Sequence, residues 1–260
     1  MKKPKVMVLR AAGTNCDLET ANAFNLVGGT AQRVHMNLLR QGKAKLMDYD
    51  ILALPGGFSY GHDAGAGKIW ANQIKLHVKD LRNFVRMGRP VLGIGNGFQV
   101  LVKAGVLPAP HSHLPEQTAG FIANDSGRFE ARWVHLRLNT QSSCLFFKGL
   151  PEMIELPVAH GEGKLVLKSP RQLEELKKNK SIAMQYVSDD GKLTGYPHNP
   201  NGSIFNIAAL SNPEGNCLGM MPHPERYTTK HQHPNWTRQT FVKEGVGLEL
   251  FRNAVEYCRS

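Results

Sequence analysis

The sequence is short of three things: paired cysteines, long apolar runs and acidic residues. Its four cysteines, Cys16, Cys144, Cys217 and Cys258, lie far apart with no C-x-x-C pair. Neither a structural zinc site nor a disulfide framework is therefore expected, and the thiols are read as reduced. No stretch approaches the roughly 18 apolar residues of a membrane span. The start, MKKPKVMVLR, passes straight into a strand pattern instead of the apolar region of a signal peptide. A soluble, cytoplasmic protein is expected. Asp and Glu number 21 against 32 Lys and Arg, a formal charge of +11, which raises the question of nucleic acid. The basic residues are scattered, however. The densest run, Lys177, Lys178 and Lys180, follows Glu174 and Glu175 on a solvated helix pattern, and no RNP-like or helix-turn-helix signature occurs. A basic face for an anionic ligand or an acidic partner protein accounts for the charge. Neither nucleic acid nor membrane is expected as a partner.

With 260 residues and 41% hydrophobic content the chain can bury a full core. One domain over residues 1–260 is expected, with a C-terminal loop and helix over 227–260. There is no internal repeat and no low-complexity tract. Apolar runs at Lys5 to Arg10, Ala31 to Met36, Tyr49 to Leu54 and Pro90 to Ile94 read as buried strands, separated by helical patterns after residue 17 and over 66–88. Such alternation predicts an α/β fold with a doubly wound, mostly parallel sheet and helices on both faces. From Phe129 the period changes to two, with further strands expected at 156–160, 182–187 and 204–210 as antiparallel strands added to the parallel core. A last strand, 217–221, runs into PHPER. A polar helix is expected over 171–180, and Leu250, Phe251, Ala254, Val255 and Cys258 form one helical stripe at the end.

The stretch PVLGIGNGFQVL, residues 90–101, is a strand, a tight turn of small residues and a helix start. A turn of this kind exposes one side chain at the top of a parallel sheet, and in a nucleophile elbow that side chain is Ser or Cys. Here the tip is Gly95, so nothing is presented. The loops at 11–16 and at 55–67 (PGGFSYGHDAGAG) follow strands and are expected at the same sheet edge, where open parallel sheets bind ligands. His223 and Glu225, in PHPER after the last strand, have the types that a base and its orienting carboxylate require.

PGGFSYG, GIGNGFQ and HPER together resemble class I glutamine amidotransferases, with a flavodoxin-like core. GTNCD (13–17), NDSGRFE (124–130), AHGEG (159–163), NPNGS (199–203) and GMMPHPER (219–226) resemble, more narrowly, the glutaminase subunits of phosphoribosylformylglycinamidine synthase. The resemblance runs from residue 5 to about 226. It places the nucleophilic cysteine of the family at Gly95, its histidine at His223 and its glutamate at Glu225. The oxyanion donors fall on the backbone N–H groups of Gly57 and Asn96. Gly56, Gln99 and His160 fall on the substrate pocket. The resemblance implies glutamine as substrate, ammonia as product and a separate synthetase subunit as partner, with a small bridging subunit in multi-subunit forms. No cofactor is implied for this chain, since it has no P-loop; ATP and Mg²⁺ belong to the synthetase. Three origins fit Gly95: an inactivating substitution that traps glutamine, a natural pseudoglutaminase, and a sequence error. The rival function is a non-catalytic glutamine-binding or assembly module of the same synthase.

Other signals have plainer explanations. GIGNGF resembles a dinucleotide fingerprint, but the third glycine falls at Phe98. His111 with His113 and His231 with His233 have metal-like spacing, yet each pair lies in a Pro-rich loop without nearby Cys or carboxylate ligands, so no metal is expected. Cys16, in GTNCD, is read as a packing residue and not as a substitute nucleophile.

Overall fold

The apolar runs of the first half build a core on each face of a sheet because their alternate side chains are buried on opposite sides. The computed structural model describes residues 3–108, 117–238 and 243–260. In chain order the first elements are β1 (Lys5–Arg10), α1 (Asp17–Leu26), β2 (Thr30–His35), α2 (Met36–Arg40), β3 (Ile51–Leu54), α3 (Lys68–Lys75), α4 (Val78–Arg86), β4 (Val91–Ile94) and α5 (Asn96–Lys103). There follow β5 (Ala119–Ile122), β6 (Glu130–Leu138), β7 (Met153–His160), β8 (Lys164–Leu167), α6 (Pro170–Lys178), β9 (Ile182–Val187), β10 (Ile207–Ser211), β11 (Cys217–Met220) and α7 (Gly247–Tyr257).

Nine strands form one sheet in the order β2-β1-β3-β4-β11-β10-β9-β6-β7. The first five are parallel, and β10, β9, β6 and β7 continue the sheet with antiparallel pairings. Val6, Val8, Ile51, Ala53, Leu92 and Ile94 pack on one side with Phe24 of α1 and Leu250, Phe251, Ala254 and Val255 of α7. Met7, Leu9, Leu52, Leu54 and Val91 pack on the other with Trp70, Ile74, Phe84, Phe98 and Leu101 of α3, α4 and α5. Burial on both faces is why these strands read as continuous apolar runs. The α1 and α7 layer is closed by Phe24 against Phe251, edge to face at 4.9 Å between ring centres. The doubly wound α/β sheet with added antiparallel strands is therefore observed.

Several local expectations are corrected. The helical region 66–88 is two helices, broken after Lys75. The strand expected over 204–210 begins at Ile207, because Phe205 and Asn206 have φ of 50° and 54° and form a turn. Met36 opens α2 and does not close β2. The last strand, for which no direction was expected, is parallel to β4, so the chain returns to the parallel core before its final loop. Strands β5 and β8 form a separate antiparallel pair that the sequence did not signal. Helix α6 starts at Pro170 behind a Ser169 and Gln172 capping box, which satisfies N–H groups that helix geometry leaves unpaired.

Two features place the site. The carboxyl ends of β1, β3, β4 and β11 share one edge of the sheet, so the loops 11–16, 55–67 and 221–226 converge there. Helix α5 leaves β4 so abruptly that a Cβ on Gly97 would lie 1.9 Å from the Leu54 carbonyl oxygen. Only glycine allows that approach. Among the described residues no helix is long and apolar enough to cross a membrane.

Candidate active site

Gly95 sits between β4 and α5 with φ 51° and ψ −107°, a strained conformation for any residue with a Cβ. Its N–H donates to the Met220 carbonyl at 2.8 Å, and its own carbonyl accepts from Gln99 N–H at 3.1 Å. The turn is thereby held by β11 on one side and by the first turn of α5 on the other. A Cβ built on Gly95 would lie 3.0 Å from His223 Nε2. The tip read from the sequence thus faces the imidazole.

His223 follows β11, and its backbone N–H donates to the Pro157 carbonyl of β7 at 2.8 Å. Its Nδ1 is 2.7 Å from Glu225 Oε1, with both side chains almost fully buried. A carboxylate on Nδ1 fixes the tautomer and leaves Nε2 directed at position 95. Gly56 backs the ring, 2.6 Å separating a Cβ there from His223 Cε1. Glu225 Oε2 is buried and has no hydrogen-bond partner among the described residues.

The site opens into a cavity of ≈ 220 Å³ whose lining includes Gly57, Gly95, Asn96, Gln99, His160 and His223. Asn96 is the first residue of α5, so its N–H has no intrahelical acceptor and carries the positive end of the helix dipole. Its side chain is fixed by Ser59 Oγ, which donates to Oδ1 at 2.6 Å, and by donation from Nδ2 to Gln99 Oε1 at 2.9 Å. Gln99 in turn donates from Nε2 to the Glu162 carbonyl at 2.7 Å. Gln99, expected on the substrate pocket, lines this cavity, and its amide holds Asn96 and the 161–163 turn with one bond at each end.

His160 is buried at the end of β7. Asn124 Nδ2 donates to the carbonyls of Arg128 and His160, and Asn124 Oδ1 accepts from Gly163 N–H. That orientation makes Oδ1 an acceptor for His160 Nδ1–H at 3.1 Å, and Asn201 Nδ2 approaches Nε2 at 3.4 Å. Burial, reinforced by the nearby His223, pushes the His160 pKa down to about 4. The ring is neutral at pH 7. Because the unfolded chain takes up its proton near pH 6.5 and the folded chain only near 4, stability is fully present above about 6.5 and falls as pH drops toward 4. The expected loss is on the order of 3 kcal/mol. Urea titrations at pH 7 and pH 4.5 on the parent and on His160→Gln measure it; the loss of unfolding free energy between the two pH values should be smaller in the variant.

His62 and Glu162 line the cavity, and Ser59, Asn124 and Asn201 hold Asn96 and His160, placements that residue-by-residue reading missed. Their only signal was membership of the motifs NDSGRFE, NPNGS, PGGFSYGHD and AHGEG. His62, at φ 60°, brings Nε2 to 3.3 Å from Asn96 Nδ2, and burial lowers its pKa.

Cys16 lies beside the dyad. Its Sγ, a ring nitrogen of His223 and a Glu225 oxygen are within 4.8 Å of one another. Burial, then the Glu225 charge, pushes the thiol up to about 12, so it is a thiol and not an activated thiolate. Arg226 Nη2 donates to Sγ at 3.2 Å. The trio does not fit a metal: a tetrahedral ion with bonds near 2.1 Å holds its ligands ~3.3 Å apart, whereas His223 and Glu225 are hydrogen-bonded at 2.7 Å and a guanidinium occupies the sulfur. His231 and His233 do not converge either. His233 Nε2 meets Glu155 Oε2 at 2.7 Å, and His231 packs on Trp236. His111 and His113 lie outside the described residues.

Comparison with known proteins agrees with this geometry. Residues 3–258 match the CobB/CobQ-like glutamine amidotransferase domain family. Phosphoribosylformylglycinamidine synthase subunit PurQ of Dehalococcoides mccartyi is 42% identical, over 100% of this chain and 99% of that protein. The PurQ subunit of Methanococcus maripaludis is 39% identical, over 98% and 97% of the two chains. Among solved structures, PurLQS from Thermotoga maritima superposes with a TM-score of 0.73 at 28% identity, covering 98% of this chain and 99% of that one. On the strength of the full-length match and the shared fold, the chain belongs to the PurQ family of class I glutamine amidotransferases.

Proposed function

We propose that this chain is the glutamine-binding subunit of a phosphoribosylformylglycinamidine synthase, acting in the cytoplasm, whose own glutaminase step is disabled at Gly95. The observation that carries the reading is the elbow: the backbone at 95 has the strained geometry of a nucleophile position and faces His223 Nε2, but it has no side chain. In an intact elbow a thiol at this place gives its proton to His223 and attacks the side-chain amide of glutamine. The oxyanion that forms is met by the N–H groups of Gly57 and Asn96. His223 then protonates the departing ammonia, and water releases glutamate from the thioester. Ammonia passes to the synthetase, which holds ATP and Mg²⁺; this chain holds no cofactor. The likeness to PurLQS supports a complex with a synthetase subunit and a small bridging subunit. Retention of the His223–Glu225 bond at 2.7 Å supports descent from an active glutaminase, and Gly95 supports a present role in glutamine binding and assembly.

Glutamine is expected to bind and not to turn over. The oxyanion donors are backbone groups and do not depend on the side chain at 95. Loss of the nucleophile in a serine protease lowers turnover by about 10⁶, or roughly 8 kcal/mol of barrier. Calorimetry with millimolar glutamine, on the chain alone and with its synthetase because the partner can complete a pocket, should give binding heat. Glutamate release in the same mixture at the rate of ordinary family members would overturn the proposal.

A further inference from the structure

The elbow leaves a general base facing an unfilled position. His223 Nδ1 is engaged by Glu225, while Nε2 is directed at the place where a side chain on residue 95 would begin. That place is continuous with the ≈ 220 Å³ cavity that Gly57 and Asn96 also line. A nucleophile arriving from solvent meets the same base and the same backbone donors that a side-chain thiol would meet. A small nucleophile fits best against the base, since an atom at the place of a Cβ would already lie 3.0 Å from Nε2. Its chemistry is limited as well: an imidazole takes a proton readily from a weak acid such as a thiol, and sulfur is a stronger nucleophile toward a carbonyl than water at neutral pH. Hydrogen sulfide meets both limits.

Building on the glutamine-binding reading of this cavity, we propose that the chain is a sulfide-dependent glutaminase in which hydrogen sulfide, seated over Gly95, is the nucleophile. His223 Nε2 takes a proton from H₂S, and the sulfur of HS⁻ bonds to the amide carbon of the glutamine side chain. The C–N bond then breaks, and the proton on His223 leaves with the nitrogen as ammonia. The product is the side-chain thiocarboxylic acid of glutamate. Water attacks the same carbon, the C–S bond breaks, and glutamate and H₂S are released. Sulfide is consumed in the first step and returned in the second, so no oxidant or reductant is needed.

The test measures ammonia release from glutamine by the full chain with its synthetase, at increasing sodium hydrosulfide. Release is expected to saturate with sulfide and to exceed the sulfide-free rate by about 100-fold or more, the scale of a positioned general base. It should return to the sulfide-free rate in His223→Ala, which lacks the base, and in Gly95→Ala, whose Cβ fills the seat. Ammonia release that does not respond to sulfide, or responds equally in His223→Ala, overturns the inference. Gly95→Cys assayed in parallel separates the two levels. Glutamate release by that variant, with no sulfide response in the parent, removes the sulfide proposal and leaves the glutamine-binding reading standing; a folded, docked and inactive Gly95→Cys together with no glutamine binding heat in the parent removes both.

Discussion

Gly95→Cys is expected to turn this chain into a glutaminase, raising glutamate release by about 10⁶ over the parent. Nothing else in the elbow has to be built. The backbone at 95 already has φ 51° and ψ −107°, held by Met220 and Gln99, and α5 begins at the next residue. His223 is in place with Glu225 on its far nitrogen. Two costs follow from the structure. A side chain in this backbone region carries strain of about 1–3 kcal/mol, so the variant should be less stable than the parent. The new Cβ also lies 3.0 Å from Nε2 and 3.1 Å from Cε1, so the imidazole must yield by a few tenths of an ångström. The new thiol should be alkylated faster with His223 present than in the double variant with His223→Ala, because a neighbouring imidazolium lowers the thiol pKa. Glutamate release with synthetase, ATP and ribonucleotide is the measurement. A folded, docked Gly95→Cys protein that yields no glutamate would show that position 95 is not the nucleophile site.

In that active background, Glu225→Gln is expected to lower turnover by about 10⁴, the scale found when the orienting carboxylate of a serine protease becomes an amide. The carboxylate accepts at Nδ1 at 2.7 Å from a side chain that water does not reach. An amide offers either an NH₂ group, which stabilises the wrong tautomer of His223, or a neutral oxygen, which does not balance the imidazolium formed during the reaction. Glu225 Oε2 has no hydrogen-bond partner among the described residues, so a new amide nitrogen at that place would lack an acceptor there, adding a stability loss of about 1–3 kcal/mol. Turnover within tenfold of the Gly95→Cys parent would show that Glu225 does not orient the base. Glu225→Asp, which keeps the charge on a shorter arm, should retain more activity than Glu225→Gln.

The parallel core and the dyad were legible in the sequence because each is written locally. Strands buried on both faces need unbroken apolar runs, and KVMVLR, ILAL and VLGI supply them; sharp strand-to-helix turns need glycine, as at Gly95 and Gly97. His223 and Glu225 are two residues apart after one strand, so their pairing required only that strand's position. By contrast, β5 and β8 are four residues each and pair across more than 40 positions, which leaves no short-range pattern to read. The turn at Phe205 and Asn206 places both at positive φ, which Asn tolerates but which no local preference would select for a bulky Phe.

The sequence by itself determined the family, the doubly wound fold and the empty elbow tip, since these depend on backbone sterics, apolar periodicity and short motifs. Only the tertiary structure decided the working state of the surrounding polar groups. It engages Gln99 between Asn96 and Glu162, holds His160 neutral between Asn124 and Asn201, and keeps Cys16 a buried thiol under Arg226. These roles rest on hydrogen bonds and desolvation between residues up to 210 positions apart. Such partners are chosen by packing, which brings the groups together and removes the water that would otherwise satisfy them.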